Sequence, residues 1–376
     1  MAQFKGEQIH KSRGDITLVA LIILLCGLGL CALFSVSYHT SLRIHKNPSY
    51  IFNRQIFYCL LFGVWAFFIS KLRIEVFRSI IPILSLFTLI LLLLPMVPKI
   101  GVKLNGASRW INLGPLGTFQ PSELAKIISI LYLSHKIDHI QTEGKVSTGY
   151  YSAILMLFFF VGIIFLQDDI STGAMVFVVG LALLFLGKIP FTHFIGLVAV
   201  IAVIVLSVIF SSDYAIERLQ AFFHVNGDEA SNRYQIGRAL FAFAQGGALG
   251  GGLGLNMNIS SGVPEAHCDG ILPAIAYEVG FVGLFFICGL VILFGIKGMQ
   301  IAYRLRENCF NYLLASGITI SIVVQFFVNL AIYTELLPTT GLPVPFFSAG
   351  GSSLFSCMTM CGILVGLSST VVEEYA

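Results

Sequence analysis

Charge is what this chain has least of. Only 11% of its 376 residues are Asp, Glu, Lys or Arg, and the net charge is +3. A soluble domain carries roughly 25% charged residues, so an ordinary water-soluble fold is excluded, and nothing in the balance suggests a nucleic-acid partner. The chain also lacks C-x-x-C, and most of its eight cysteines lie inside apolar runs. A disulfide framework or a structural zinc site is therefore not expected, and the cysteines read as small buried hydrophobes. No G-x-x-x-x-G-K-[ST] occurs, and "QGGALGGGLGLN" does not fit G-x-G-x-x-G, so nucleotide binding has no support. Dyad alternation, the mark of a membrane barrel, is absent as well.

What is present is hydrophobicity: 57% apolar residues and a mean hydropathy of +0.89. It is gathered in runs of about 20 residues, the length of a membrane-spanning helix. Ten candidate spans lie near 16–38, 51–70, 74–97, 120–138, 150–166, 170–187, 190–210, 271–296, 311–334 and 346–370. The expected fold is an all-α integral membrane protein, a single polytopic domain over 1–376, with one large extracytoplasmic loop at about 211–270. The first run is too long for the apolar core of a cleavable signal and reads as a span. An even count puts both termini on one side. With that side cytoplasmic, eleven Lys and Arg fall inside against five or six in the short outer loops, the bias expected of inner segments.

Four stretches could carry chemistry. "GVPEAHCDGILP" gathers Glu265, His267, Cys268 and Asp269 at the foot of an apolar run. Asp269 there is either a helix cap or a desolvated carboxyl with a raised pKa and the makings of a base. "KLNGASRWINLGPLGTFQPSELAKI" has turn signals at Asn105-Gly106 and Gly114-Pro115, a helix start at Pro121 to Glu123, and Arg109 beside Trp110. Glu123 and Lys126 stand one turn apart inside a span, as a functional pair or a structural one. "LQDDISTGA" offers Asp168 and Asp169, which either receive a cation or cap the helix opened by Ser171 and Thr172. "ELLPTTGLPVPFFSAGGSSLFS" breaks the helical pattern with Pro338, Pro343 and Pro345, and irregular backbone at that depth must be buried in protein or line a cavity. His135 and His139 have metal-ligand spacing but no third ligand, and read as a solvated helix end.

Taken in order, "NGASRWI", "PSELAK", "DDIST", "RYQIGRALFAFAQGGALGGGLG", "PEAHCD" and "LPTTGLPVPFFSAGGSSL" resemble the SEDS family of peptidoglycan polymerases, which comprises FtsW, RodA and SpoVE, over nearly the whole chain. "PEAHCD" is more similar to the FtsW and SpoVE branch, which implies a role in septal synthesis at cell division. The resemblance implies an inverting glycosyltransferase that polymerises lipid II into β-1,4 glycan on the outer face of the bacterial cytoplasmic membrane. The family's essential aspartate falls on Asp269, its conserved arginine on Arg109, its "PSELAK" pair on Glu123 and Lys126, its "PE" acid on Glu265 and its "PDxGT" acid on Asp169, and His267 lies within the same motif. The expected partners are lipid II, undecaprenyl-linked glycan, membrane lipid, a class B penicillin-binding protein and other division proteins. No cofactor is required by the motifs, and a divalent cation, Mg2+ or Mn2+, stays open. Asp168, Ser171, Thr340, Ala349, Gly270 and Pro273 depart from the family pattern. Two other readings, a flippase for lipid-linked precursor and a non-catalytic division scaffold, make different demands on Asp269.

Overall fold

The computed structural model describes residues 14–98, 100–104, 107–112, 114, 117–144, 146–190, 194–196, 231–252, 254, 262–338 and 340–370. Helices dominate: α1 (Ile16–His45), α2 (Tyr50–Lys71), α3 (Ile74–Leu93), α4 (Pro121–Glu143), α5 (Val146–Leu166), α6 (Ile170–Leu186), α7 (Ser231–Gly246), α8 (Ile271–Arg304), α9 (Cys309–Tyr333) and α10 (Gly351–Ser368). Nine of the ten candidate spans are helices, while the one near 190–210 lies almost wholly outside the described residues. Among the described residues seven helices are long and apolar enough to cross a membrane. The chain is a multi-pass membrane protein. Of the other two matched spans, α6 is short at 17 residues, and α4 carries charges that it buries rather than exposes.

Local chemistry sets the ends of these helices. The Asp15 carboxylate caps α1 by accepting from the Thr17 and Leu18 amides. Pro121 opens α4 at a position where its missing N–H costs nothing, and Gly144 closes it in the left-handed region. The expected start of the last span at 346 is too early. Residues 340–350 are irregular, and the helix begins at Gly351 because the prolines upstream cannot continue a helical ladder. One feature was not expected from an all-helical pattern. The segment between α3 and α4 forms a small antiparallel sheet in the order β1 (Gly101–Leu104), β2 (Ala107–Asn112) and β3 (Thr118–Phe119). The turn expected at Asn105-Gly106 lies outside the described residues.

The core runs through α4, α6 and α9, where Leu131, Leu183, Leu184, Leu314 and Ile318 are sealed from solvent. Charge inside it is paired or hydrogen-bonded, as a low-dielectric interior demands. The long loop holds α7, whose Ile236, Ala239 and Ala242 are buried, with Ala239 packed against Ile332 and Tyr333 of α9. The glycine-rich stretch after α7 has a packing purpose. Helix α8 is broken at Gly280 (φ 68°, ψ −174°), and the freed amides of Phe281 and Val282 donate to Gly247 and Ala248. In return the amides of Gly251 and Gly252 donate to Tyr277 and Glu278. A Cβ on Gly250 would stand 2.2 Å from the Glu278 carbonyl oxygen, so backbone meets backbone only because the side chain is absent.

One end of the bundle collects the irregular segments. Arg109 of β2 reaches the Asp168 carbonyl in the α5–α6 turn, the Gln120 amide donates to the Ser352 hydroxyl, and Gln55 of α2 holds Ser348 and Gly350. The opposite end is closed by different contacts, Arg78 with Asp138 and the Asp15 amide with Ser368.

Candidate active site

Asp269 sits at the first of these ends, in the turn that precedes α8. The turn is closed on Glu265, whose carbonyl accepts from the Cys268 amide at 2.8 Å and the Gly270 amide at 3.1 Å. Glu265 itself adopts φ 50°, a left-handed conformation uncommon for a residue with a side chain. The turn is then stapled to the 340–350 segment. The Ala349 amide donates to the His267 carbonyl at 2.8 Å, and the Ser348 hydroxyl donates to the Cys268 carbonyl at 2.5 Å. Asn329 of α9 completes the fastening, donating to the Asp269 carbonyl (3.0 Å) and the Leu342 carbonyl (2.8 Å). Two irregular loops are thus fixed by side chains of one helix, as backbone at membrane depth requires.

The sequence left Asp269 between helix cap and base. The N-cap of α8 is Gly270, and no side chain caps it. The carboxyl of Asp269 instead points into the protein, half-buried, with Oδ1 shut off from solvent and without a partner. Burial, and then the nearby Glu265 carboxylate, push its pKa up from 3.8 to about 7, against the pull of the polar groups beside it: its own amide, the Tyr333 hydroxyl and the Gly270 amide. A carboxyl that titrates near neutrality is suited to take and release a proton at physiological pH. Burial likewise lowers the pKa of His267, so its imidazole favours the neutral form.

The other candidate residues form a second group at the same end. Asp169 is the N-cap of α6, taking the Thr172 amide at 3.4 Å, and it also accepts from Gln120 (2.9 Å) and Ser122 (2.8 Å). Arg109 lies 3.8 Å from its carboxylate, so Asp169 both caps and receives a cation. Glu123 and Lys126 are an ion pair at 2.8 Å, both almost fully buried. Lys126 goes on to donate to Gln325 at 2.8 Å, and Gln325 donates to the Pro343 carbonyl at 2.6 Å. Arg109 and Lys126 thus already carry carboxylate partners. Lys126 reaches the Asp269 turn through Gln325 and the 340–350 segment rather than by contact. The enclosed space beside Lys126, between Gln325, Pro345 and Ser356, is only about 10 Å3.

Known proteins place the chain as a whole. The sequence profile of the family described as cell cycle proteins, covering FtsW, RodA and SpoVE, matches residues 16–372. The chain belongs to that family. It is 32% identical to a protein of Trichlorobacter lovleyi named as a probable peptidoglycan glycosyltransferase FtsW, over 98% of this chain and 97% of the relative. A protein of Geobacter sulfurreducens with the same name is 34% identical over 95% of each. In three dimensions the chain is similar to a member of a peptidoglycan synthase complex that coordinates polymerization and crosslinking, with a TM-score of 0.76, 25% identity and coverage of 96% and 99%. Thermus thermophilus RodA, a rod shape determining protein, shares the fold with a TM-score of 0.68 and 24% identity over 96% and 98%.

For a member of the FtsW, RodA and SpoVE family, several site residues escaped the sequence reading. Tyr333 is buried at the end of α9, accepts from Gln235 of α7 at 2.7 Å, and its hydroxyl stands near enough to the Asp269 carboxyl to lower its pKa. With Gln325 and Asn329 it forms a polar ladder. The spacing of four residues puts all three on one face of an otherwise apolar span, a signal available in the sequence. Arg54, exposed at the start of α2, stands near enough to Cys268 for its charge to act on the thiol, and it has no carboxylate partner among the described residues. The departure at Asp168 also has a structural correlate. Its φ is 59°, a left-handed conformation that a proline, with φ fixed at about −65°, could not adopt.

Proposed function

We propose that this chain polymerises lipid II into β-1,4 glycan at the outer face of the cytoplasmic membrane, as an inverting peptidoglycan glycosyltransferase serving septal synthesis. The observation that carries the reading is Asp269: a carboxyl titrating near 7, fixed between two irregular loops at one end of a helix bundle. Asp269 takes the proton from the acceptor's 4-hydroxyl, that oxygen bonds to C1 of the donor sugar, and the bond from C1 to lipid pyrophosphate breaks. A single displacement turns the α-linked donor into a β linkage, so one base suffices. Tyr333 orients the carboxyl, and Glu265 raises its proton affinity.

The leaving pyrophosphate needs positive charge. Arg109 and Lys126 are candidates, though each would have to share its charge with Asp169 or Glu123. Arg54 is exposed and has no such competitor. A divalent cation, Mg2+ or Mn2+, would screen the same phosphates. Glu265, His267 and Cys268, as a set of one oxygen, one nitrogen and one sulfur, do not suit those hard ions. A class B penicillin-binding protein is the proposed partner. The similarity to a chain from a complex of polymerization and crosslinking supports it. Both termini are placed in the cytoplasm on the Lys and Arg bias of the inner segments. The flippase reading fits less well, since Glu265, Asp269, Arg109 and Asp169 gather at one end of the bundle.

The test is purified chain with lipid II, with and without the transpeptidase partner, reading glycan product on a gel. Asp269→Ala should give no polymer from a folded protein. Full polymerisation by Asp269→Ala would overturn the assignment, and a fusion reporter at the C-terminus checks the orientation.

A further inference from the structure

Cys268 plays no part in the mechanism above, yet it does not sit alone. The carboxylate of Glu265, a ring nitrogen of His267 and the Cys268 sulfur all lie within 4.8 Å of one another, and no other group of three His, Cys, Asp or Glu among the described residues converges in this way. We infer that Glu265, His267 and Cys268 form a binding site for a borderline-soft divalent cation of the zinc class, on the turn that carries Asp269.

The donor set decides the class of ion. Sulfur and imidazole favour Zn2+ and its neighbours, whereas Mg2+ and Ca2+ take oxygen. The geometry is close to what such an ion needs. Bonds of about 2.0 to 2.3 Å arranged tetrahedrally set ligand atoms roughly 3.3 to 3.8 Å apart, so the three donors must close by about an ångström. Side-chain torsions can supply that without moving the main chain. The main chain is already held, by the Glu265 carbonyl on the Cys268 and Gly270 amides and by Ala349 and Ser348 on the carbonyls of His267 and Cys268. The left-handed Glu265 brings its carboxylate back over the turn, near enough for its charge to act on both the imidazole and the thiol. Because Glu265 is exposed, a fourth position stays open to water. On binding, the thiol releases its proton to solvent and the sulfur becomes the ligand. An ion held there would tie Glu265 to Cys268 and stiffen the turn.

The inference does not depend on the polymerase reading, and its test contains no lipid II. Full-length chain without a histidine tag is stripped of metal, placed in nanodiscs and titrated with Co2+. One equivalent should bind, with tetrahedral ligand-field bands and a sulfur-to-cobalt charge-transfer band, displaced by Zn2+ and untouched by Mg2+. Cys268→Ser should abolish the charge-transfer band, His267→Ala should weaken binding at least tenfold, and Cys31→Ser should change neither. Wild-type chain that takes up no stoichiometric Co2+ overturns the site, whatever the variants do. So does a charge-transfer band that survives in Cys268→Ser.

Discussion

The relay from Gln235 through Tyr333 to Asp269 gives the sharpest expectation, because it converts one hydroxyl into a shift on the pH axis. With a pKa of about 7, half of the Asp269 carboxyls are ionised at pH 7, about a tenth at pH 6 and about nine-tenths at pH 8. A base acts only when ionised, so the polymerisation rate should rise nearly tenfold from pH 6 to pH 8 with the slope of a single proton. The Tyr333 hydroxyl lies beside the carboxyl and favours its charged form, as a donated hydrogen bond would. A hydrogen bond to a charged group is worth about 1.5 to 3 kcal/mol, and each pKa unit is about 1.4 kcal/mol. Tyr333→Phe should therefore move the midpoint upward by roughly one to two units. At pH 7 the variant would run at about a fifth to a fiftieth of the wild-type rate, and it would regain about half or more of that rate at pH 9.

The assay is the initial rate of glycan formation from lipid II at fixed ionic strength, from pH 5.5 to 9.5, for both proteins. A wild-type profile that is flat between pH 6 and 8 would refute Asp269 as the titrating base. A Tyr333→Phe profile lowered equally at every pH, with its midpoint unmoved, would show that Tyr333 only packs.

Other consequences concern stability, where the same burial acts with the opposite sign. The folded Asp269 carboxyl holds its proton more tightly than the unfolded one, so its contribution is complete below about pH 3.8 and is lost as pH rises to about 7. Asp269→Asn should accordingly be more stable than wild type at pH 8, by at most about 4 kcal/mol and read as a raised melting temperature, while making no polymer; a variant that melts lower would mark Asp269 as structural. Lys126→Ala strands Glu123 in the core and should cost about 3 to 5 kcal/mol, read as a lowered melting temperature in detergent, whereas Glu123→Gln with Lys126→Met should recover much of it. Arg109→Ala removes the cation beside Asp169 and should lower activity and melting temperature together; unchanged turnover in the folded fraction would take Arg109 out of the site. Gly280→Ala forces a side chain into a φ of 68° and places its Cβ 2.3 Å from the Gly250 amide nitrogen, so it should fail to insert stably, checked by yield in membranes.

How much of this was legible depends on which interaction sets each feature. The spans were, because hydropathy acts on each helix separately: nine helices stand where apolar runs predicted them. The buried charges of α4 were, since opposite charges one turn apart inside a span are tolerated there when they meet, as Glu123 and Lys126 do. The cap at Asp169 was, because capping is local. What escaped were features made by pairs of segments distant in sequence. Nothing near Gly280 says that a glycine-rich loop 30 residues upstream supplies the hydrogen bonds its broken helix lacks. Nothing in "PEAHCD" alone says whether Asp269 caps α8 or faces inward, because that turn is held by Ser348, Ala349 and Asn329 from later in the chain. The ladder of Gln325, Asn329 and Tyr333 was readable in principle, as three polar side chains at intervals of four. Its meaning needed the third dimension: two rungs fasten the irregular backbone, Gln325 at the Pro343 carbonyl and Asn329 at the Leu342 and Asp269 carbonyls, and Tyr333 lies beside the Asp269 carboxyl. One helix face therefore positions the base and the loop beside it together. A substitution at Asn329 should disturb both, and Asn329→Leu, which keeps the volume but frees two carbonyls, should lower the melting temperature and the polymerisation rate in step.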